Sequence, residues 1–370
     1  MNTDWFLLKD VESIQTPSLL VYPERIAHNI QQMLRIAGNA ERLRPHVKTY
    51  KMAEVIRMQR ERGIDKFKCA TIAEAELLAT TGASDILLAM QPVGPNIERF
   101  IELSLKYPEQ HFSCLVDNHS TLEQLHWETN KNAKSLGVFI DINIGMDRTG
   151  IVPSDEVIQL YKAIEEAPYL IPKGFHIYDG HLRLPDFEER REACNTALQP
   201  LLDLLAKMKA EGLNSGTLVI GGSPTFPVHA LRKEVELSPG TVLLWDEGYG
   251  SKFPDMGNFQ HAAVLVTRLI SKPAPNIFCL DLGHKSLASE MPFPRVKFLN
   301  TNDFEQVSQS EEHFVVRVKN PEKYQIGDLF YAVPMHICPT VAKYPQVSVV
   351  AYGMVSETWK VAARDHKITV

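Results

Sequence analysis

An α/β fold, a (β/α)8 barrel of the TIM type followed by a C-terminal β domain, is the architecture this chain predicts, and three observations predict it. Short apolar runs alternate with helical stretches of roughly 12 to 18 residues, the signature of parallel βα units. Eight such runs precede residue 256, and eight parallel strands close a barrel. Beyond that point helical periodicity fades, and β-rich runs take over at 262–268, 314–318 and 347–351.

In chain order, 1–16 is short and polar with a Trp5-Phe-Leu-Leu8 patch, and 16–22 reads as a strand leading into a helix at about 23–37. The barrel strands are expected at 42–48, 67–71, 85–90, 112–117, 137–143, 172–178, 217–221 and 241–246. Thr71-Ile-Ala-Glu74 is a capping box that opens a helix ending at Gly82. In the β region, Pro273 to Pro275 marks a connection and Gly327-Asp328 a turn. The expected domains are therefore 17–255, the barrel, and 256–370, the β domain.

Composition excludes several function classes. Apolar residues at 44% and charged residues at 23% are ordinary globular values, with no low-complexity tract or block of like charge. A net charge of −6 without a basic stripe argues against nucleic acid and anionic membrane, which leaves a small-molecule ligand. No apolar run is long enough to cross a membrane, and the N-terminus carries no leader, so a soluble, cytoplasmic protein is expected. Five scattered cysteines do not form a disulfide framework; Cys69, Cys114, Cys194 and Cys279 read as small core residues and Cys338 as the exception.

Chemistry centres on Arg44-Pro-His-Val-Lys-Thr-Tyr-Lys51, which sets Lys48 at the carboxyl end of a barrel strand with His46 on the same face. A lysine there can condense with an aldehyde, and holding pyridoxal 5'-phosphate is the chemistry that most needs one. Gly221-Gly222-Ser223 and Gly240-Thr241 offer backbone amides and small hydroxyls to a phosphate after two late strands. Arg148, in Gly-Met-Asp-Arg-Thr-Gly, is placed to donate to an anionic oxygen, or else to pair with Asp141 or Asp147. His176 and Tyr178 share a face of the sixth strand, where they can pack against a pyridine ring or simply fill the core. In an extended His336-x-Cys338, imidazole and thiolate project to one side as a soft pair suited to zinc, with positions left open for water or substrate.

These motifs, with Tyr178-Asp-Gly-His181, Ser238-Pro-Gly-Thr241 and Pro334-Met-His-Ile-Cys-Pro-Thr340, resemble in order those of the D-threonine aldolase and D-serine dehydratase family, relatives of alanine racemase. The resemblance implies a pyridoxal phosphate barrel with a C-terminal β domain that residues 1–16 join. It further implies Lys48 as cofactor lysine, Arg148 facing the cofactor phenolate, and a divalent metal on His336 and Cys338, zinc by preference and otherwise manganese or magnesium. A homodimer and a small D-amino acid substrate are implied as well. Two departures bear on function. Ser238 stands where alanine racemases commonly carry arginine; and Cys338 and Leu184 stand where the aldolases carry aspartate and a further histidine, which leans the chain toward the dehydratase branch. His181 remains able to serve as the base for carbon–carbon cleavage. The expected function is a metal-assisted lyase of a β-hydroxy D-amino acid, by loss of water or by retro-aldol cleavage. The alternatives are an amino-acid racemase, which needs no metal pair, and a non-catalytic pyridoxal phosphate carrier, which needs no β domain.

Overall fold

The computed structural model describes residues 4–370, so the first three residues of the 1–16 segment lie outside the described residues. Two compact units emerge. One comprises Met33–Lys48, Val55–Gly240 and Asp365–Val370; the other comprises the described residues through Gln32, with Thr49–Glu54 and Thr241–Arg364.

Strand β1 (Ser18–Val21) leads into the helix Pro23–Ala37. The barrel unit then carries β2 (Lys66–Cys69), β3 (Asp85–Leu88), β4 (His111–Val116), β5 (Leu136–Ile142), β6 (Leu170–Ile177), β7 (Thr217–Ile220) and β8 (Val235–Leu237), each parallel to the next. Every residue of β5, Leu-Gly-Val-Phe-Ile-Asp-Ile, is buried, as a parallel strand covered on both faces requires. Leu87, Leu115, Phe139 and Val219 form a core cluster from β3, β4, β5 and β7. The Thr71 cap forms as expected, its hydroxyl accepting from the Glu74 amide at 3.1 Å, while the Glu74 carboxylate reaches back to the amide of Ala70 at 2.6 Å.

Two expected strands are corrected. The segment 42–48 is not a continuous strand. Leu43 bridges Leu237 and His46 bridges Lys68, so it closes the seven-stranded sheet at both edges, but Pro45 has no amide to add and Val47–Thr49 turns into a 3-10 helix. The eighth strand is Val235–Leu237 instead of 241–246; beyond Pro239-Gly240 the amides of Leu244 and Trp245 return to the carbonyl of Thr241, making the 3-10 turn Thr241–Leu243.

In the other unit the sheet is organised on β9 (Ala263–Ala274). Its partners are β1, β10 (Ile277–Leu280) and β14 (Leu329–Pro334). Strand β11 (Val296–Phe298) extends β14, β12 (Phe304–Gln309) and β13 (Phe314–Val318) extend β10, and β15 (Gln346–Ala351) and β16 (Met354–Lys360) extend β1. β1 thus belongs to this sheet, antiparallel to β9 and parallel to β15. Pro273 stays within β9 and the turn falls at Pro275-Asn276, whereas Gly327, at φ 97°, makes its turn where expected. Phe6, Leu8, Leu20, Tyr22, Val264, Val266, Tyr331 and Val350 pack into one core, so Phe6 and Leu8 of the N-terminal apolar patch are interior, whereas Leu7 is exposed.

Candidate active site

The carboxyl ends of the barrel strands surround a cavity of about 440 Å³, lined by His46, Lys48, Lys68, Asp141, Arg148, His176 and Tyr178, with Gln91 and Asp117 at its wall. Lys48 reaches it from the 3-10 turn Val47–Thr49, its amide donating to Nδ1 of buried His46 at 3.3 Å. The Lys48 amine lies 5.5 Å from the centroid of the Tyr178 ring, and the Arg148 guanidinium lies 4.7 Å from it. Arg148 rides on a tight loop after β5. Asn143 Oδ1 accepts the amides of Gly145 and Asp147, and Asp117 accepts that of Gly150 at 3.0 Å. A Cβ on Gly150, whose φ is 97°, would stand 2.7 Å from the Asn143 nitrogen, so the loop needs glycine there.

On the cavity floor Asp141 Oδ1 meets His176 Nδ1 at 2.7 Å, and His176 Nε2 meets Lys68 Nζ at 3.2 Å. Burial and the charge of Lys48 pull Lys68 down to about 7, against the opposing pull of Asp141 and Asp179. Burial and the Lys68 charge also hold the His176 imidazole below its ordinary value. Burial works against the Asp141 carboxylate, but its bond to His176 outweighs this and keeps it ionised below the usual carboxylate range.

The glycine loop after β7 lies beside this group: a Cβ on Gly222 would sit 3.0 Å from Tyr178 Cε2. Ser223 Oγ accepts the amide of Gly240 at 3.2 Å, joining the two segments expected to hold phosphate. Gly222, in turn, donates to Thr225 Oγ1, which donates to Asp179 Oδ1, and Asp179 Oδ2 pairs with His229 Nε2 at 2.6 Å. Cys194 completes this buried group, whose atoms lie close enough together for a metal ion, but here the carboxylate is already engaged by imidazole and hydroxyl. Among the described residues, the buried hydroxyl of Ser238 has no hydrogen-bond partner. A flexible lysine, an aromatic face, an arginine, a glycine cradle and an orphaned hydroxyl suit an anionic, aldehyde-bearing aromatic cofactor, so pyridoxal phosphate fits the residues present.

His336 and Cys338 are not in an extended segment: His336 caps the short helix Ile337–Val341, and this turn brings the thiol and imidazole into hydrogen-bond contact. The sulfur also lies 3.2 Å from Thr49 Oγ1, the residue after Lys48, and 3.5 Å from Thr241 Oγ1. Burial disfavours both charges, but the thiol–imidazole contact wins, lowering the thiol and raising His336 to about 9. Asp246, pushed up to about 6 by burial, accepts the Ile337 amide at 3.0 Å, and Glu290 holds His336 Nδ1 at 2.6 Å. Imidazole and thiolate in contact, with a carboxylate close by, is a donor set that a soft divalent ion fits.

Of the residues singled out from sequence, His46, Lys48, Arg148, His176 and Tyr178 line the cavity, while Gly222, Ser223 and Gly240 lie in two loops joined by the Ser223–Gly240 bond, and Thr241 opens the 3-10 turn that follows. His181 does not line it; it is exposed in the turn after β6, near Gly145. Lys68 lines the cavity without having been singled out, and Asp141, considered only as a partner for Arg148, lines it as the partner of His176. A lysine in Lys-Phe-Lys-Cys and an aspartate in Val-Phe-Ile-Asp-Ile, charges inside buried parallel strands, are signals the sequence does carry.

Residues 21–247 match the model of the alanine racemase N-terminal domain, and residues 262–350 that of a putative serine dehydratase domain. The chain is 28% identical to a 3-hydroxy-D-aspartate aldolase of Paracoccus denitrificans, over 96% of this chain and 93% of that protein. It is 26% identical to a D-threonine aldolase of Arthrobacter, over 95% and 93%. The crystal structure of D-threonine aldolase from Filomicrobium marinum superposes with a TM-score of 0.86 at 25% identity, covering 97% of each chain. With its barrel, its lysine cavity and these two matched domains, the chain belongs to the alanine racemase-like family of pyridoxal phosphate enzymes that includes the D-threonine aldolases and D-serine dehydratases.

Proposed function

We propose that this protein is a pyridoxal phosphate-dependent lyase of small β-hydroxy D-amino acids, assisted by a divalent metal. The observation that carries the reading is the Lys48 amine in the barrel cavity, over Tyr178 and beside Arg148. When bound, the cofactor supplies an electron sink for charge that develops at the substrate Cα. Lys48 would hold the cofactor, and its amine is the group that would take the Cα proton in the elimination reaction. Arg148 donates to an anionic oxygen of the ring, and Gly222, Ser223, Gly240 and Thr241 bind the phosphate. His336 and Cys338 hold the metal, zinc by preference, whose Lewis acidity answers the poor leaving ability of hydroxide. Loss of water followed by hydrolysis of the released enamine gives a keto acid and ammonia; deprotonation of the same hydroxyl, with His181 as candidate base, breaks the Cα–Cβ bond to release an aldehyde, and protonation at Cα leaves glycine.

Borohydride reduction followed by peptide mapping tests the central assignment: the label belongs on Lys48. Two other lysines serve as controls and have partners of their own. Lys51 donates to the Ala363 carbonyl at 3.2 Å, and Lys285 pairs with Glu311 and Glu312. A label on either of these, or on Lys68, overturns the reading. Incubating the metal-loaded protein with D-serine, D-threonine and D-3-hydroxyaspartate, then assaying keto acid and aldehyde, separates the two outcomes.

A further inference from the structure

We propose that Lys68 is a positioning residue of the cofactor cavity, which donates to His176 Nε2 and so fixes that imidazole as the neutral Nδ1–H tautomer between Asp141 and a buried ammonium. This rests on the cavity being the cofactor site, and it concerns a residue that the proposed chemistry does not otherwise use.

Geometry carries most of the argument. Asp141 Oδ1, an ionised carboxylate, can only accept, so the proton of the 2.7 Å contact lies on His176 Nδ1. The other ring nitrogen, 3.2 Å from Lys68 Nζ, then either accepts from the ammonium or carries a second proton itself. Basicity decides between them. A lysine amine is intrinsically more basic than imidazole by about 4 pKa units. Burial penalises both cations, and their mutual repulsion is symmetric. Lys68, at about 7 after burial and the Lys48 charge are included, therefore keeps the proton in preference to His176, which is itself depressed. As Lys68 gives up its proton, around neutrality and above, His176 is still neutral with its proton on Nδ1.

Other charges around the pair are accounted for. Lys68 feels Lys48 and Arg44 from the closing segment, Asp141 from β5 and Asp179 from the end of β6; His176 feels Lys68, Asp141 and, from the loop after β5, Arg148. The two carboxylates balance part of this positive charge, and the remainder favours an anionic ligand. A cationic His176 would add a further charge and turn an N–H toward Lys68. With Lys68 present, the ring instead offers an uncharged face to the cavity, which suits an aromatic ligand, and the ammonium supplies donors from below.

Nitrogen-15 spectra of histidine-labelled holoenzyme, with His176 assigned by its loss in His176→Gln, test this directly. The expected result is a neutral Nδ1–H pattern from mildly acid to mildly alkaline pH. In Lys68→Met the neighbouring charge is gone, so His176 should become doubly protonated with its midpoint raised by about one unit or more, and Lys68→Arg, which can only donate, should restore the wild-type pattern. A doubly protonated His176 in the wild-type protein at neutral pH overturns the proposal, as does an unmoved midpoint in Lys68→Met. Should Lys68→Met fail to fold, the wild-type spectrum alone decides. The visible absorption of the same sample separates this from the functional reading: its absence sinks the cofactor assignment, whereas the tautomer is read from the nitrogen shifts in either case.

Discussion

At Cys338 three neighbours decide what the thiol can do. His336 supplies positive charge, and the hydroxyls of Thr49 and Thr241 lie within reach of the sulfur, so the thiol is held below its ordinary value against burial and the charge of Asp246. Chelation is therefore predicted to abolish turnover of β-hydroxy D-amino acids while leaving the cofactor's visible band in place, with zinc restoring activity better than magnesium. Full activity in exhaustively chelated protein would sink the metal and favour a racemase. Cys338→Asp, a hard ligand for a soft one, should shift the preference toward manganese or magnesium, read as a change in the order of metal reactivation. Gly222 poses a different kind of constraint, since any side chain there meets Tyr178. Gly222→Val should weaken cofactor retention at least about 10-fold, a loss of about 1.4 kcal/mol, with far-ultraviolet circular dichroism unchanged. Equal retention on dialysis would show that the loop does not bind the phosphate.

At the scale of elements, the glycine loop is held from behind. Asp179 ties the end of β6 to Thr225 and His229, and Thr225 accepts the amide of Gly222, so the strand that presents Tyr178 and the loop that opposes it share one carboxylate. Burial alone would raise Asp179, but its bonds to His229 and Thr225 hold it below the carboxylate range. Its folded pKa is depressed, so its stabilisation is present above the unfolded value of about 4 and is lost as pH falls through the folded one. Asp179→Asn should cost about 2 kcal/mol in urea denaturation and loosen cofactor binding, with the loss in stability shrinking in acid. A variant as stable as wild type at neutral pH would show that the cluster is incidental. None of this was visible in the sequence, where Asp179 is one letter of a Tyr-Asp-Gly-His motif. Strands β3, β4, β5 and β7 were legible because each is a largely apolar run between turn signals, and β2 and β6, interrupted by charged or polar residues, by their place in the alternation with helices. The first and eighth positions were not, since Pro45 and Pro239 hide where pairing stops. Lys48, Arg148 and Tyr178 stood out by their place at strand ends, whereas Thr49 and Asp246 reach Cys338 and His336 through contacts between distant segments that no local pattern encodes.

At the scale of the barrel unit, closure depends on a single buried cation. The segment Leu43–His46 offers few backbone bonds to its neighbours: the Arg44 and His46 amides donate to Leu237 and Pro239, and Pro45 only accepts, from Lys68. Side chains supplement it. Arg44, 2% exposed, forks onto Asp85 at 2.7 and 3.1 Å and meets Glu236 at 2.6 Å, while Lys66 also pairs with Glu236. Asp85 begins β3 and Glu236 lies in β8, so one guanidinium spans the seam at which the barrel closes. Burial opposes the Arg44 charge, but the two carboxylates more than offset it, and Arg44 in turn holds Asp85 below the ordinary carboxylate range. Replacing Arg44 by Met removes the buried cation outright and leaves two carboxylates that remain partly hydrated, at 27% and 13% exposure, so the cost should be about 2 to 3 kcal/mol, below that of orphaning a fully buried charge. The pH profile distinguishes electrostatic closure from packing. In the wild type the depressed Asp85 contributes stability above its unfolded pKa and loses it as pH falls through the folded value; in Arg44→Met that depression is largely gone. Urea midpoints measured from neutral pH down to about 3 should therefore converge for the two proteins, because the wild type has more to lose across the unfolded carboxylate range near 4. A constant gap across that range would mean that the arginine stem, by packing, and not its charge, holds the barrel shut.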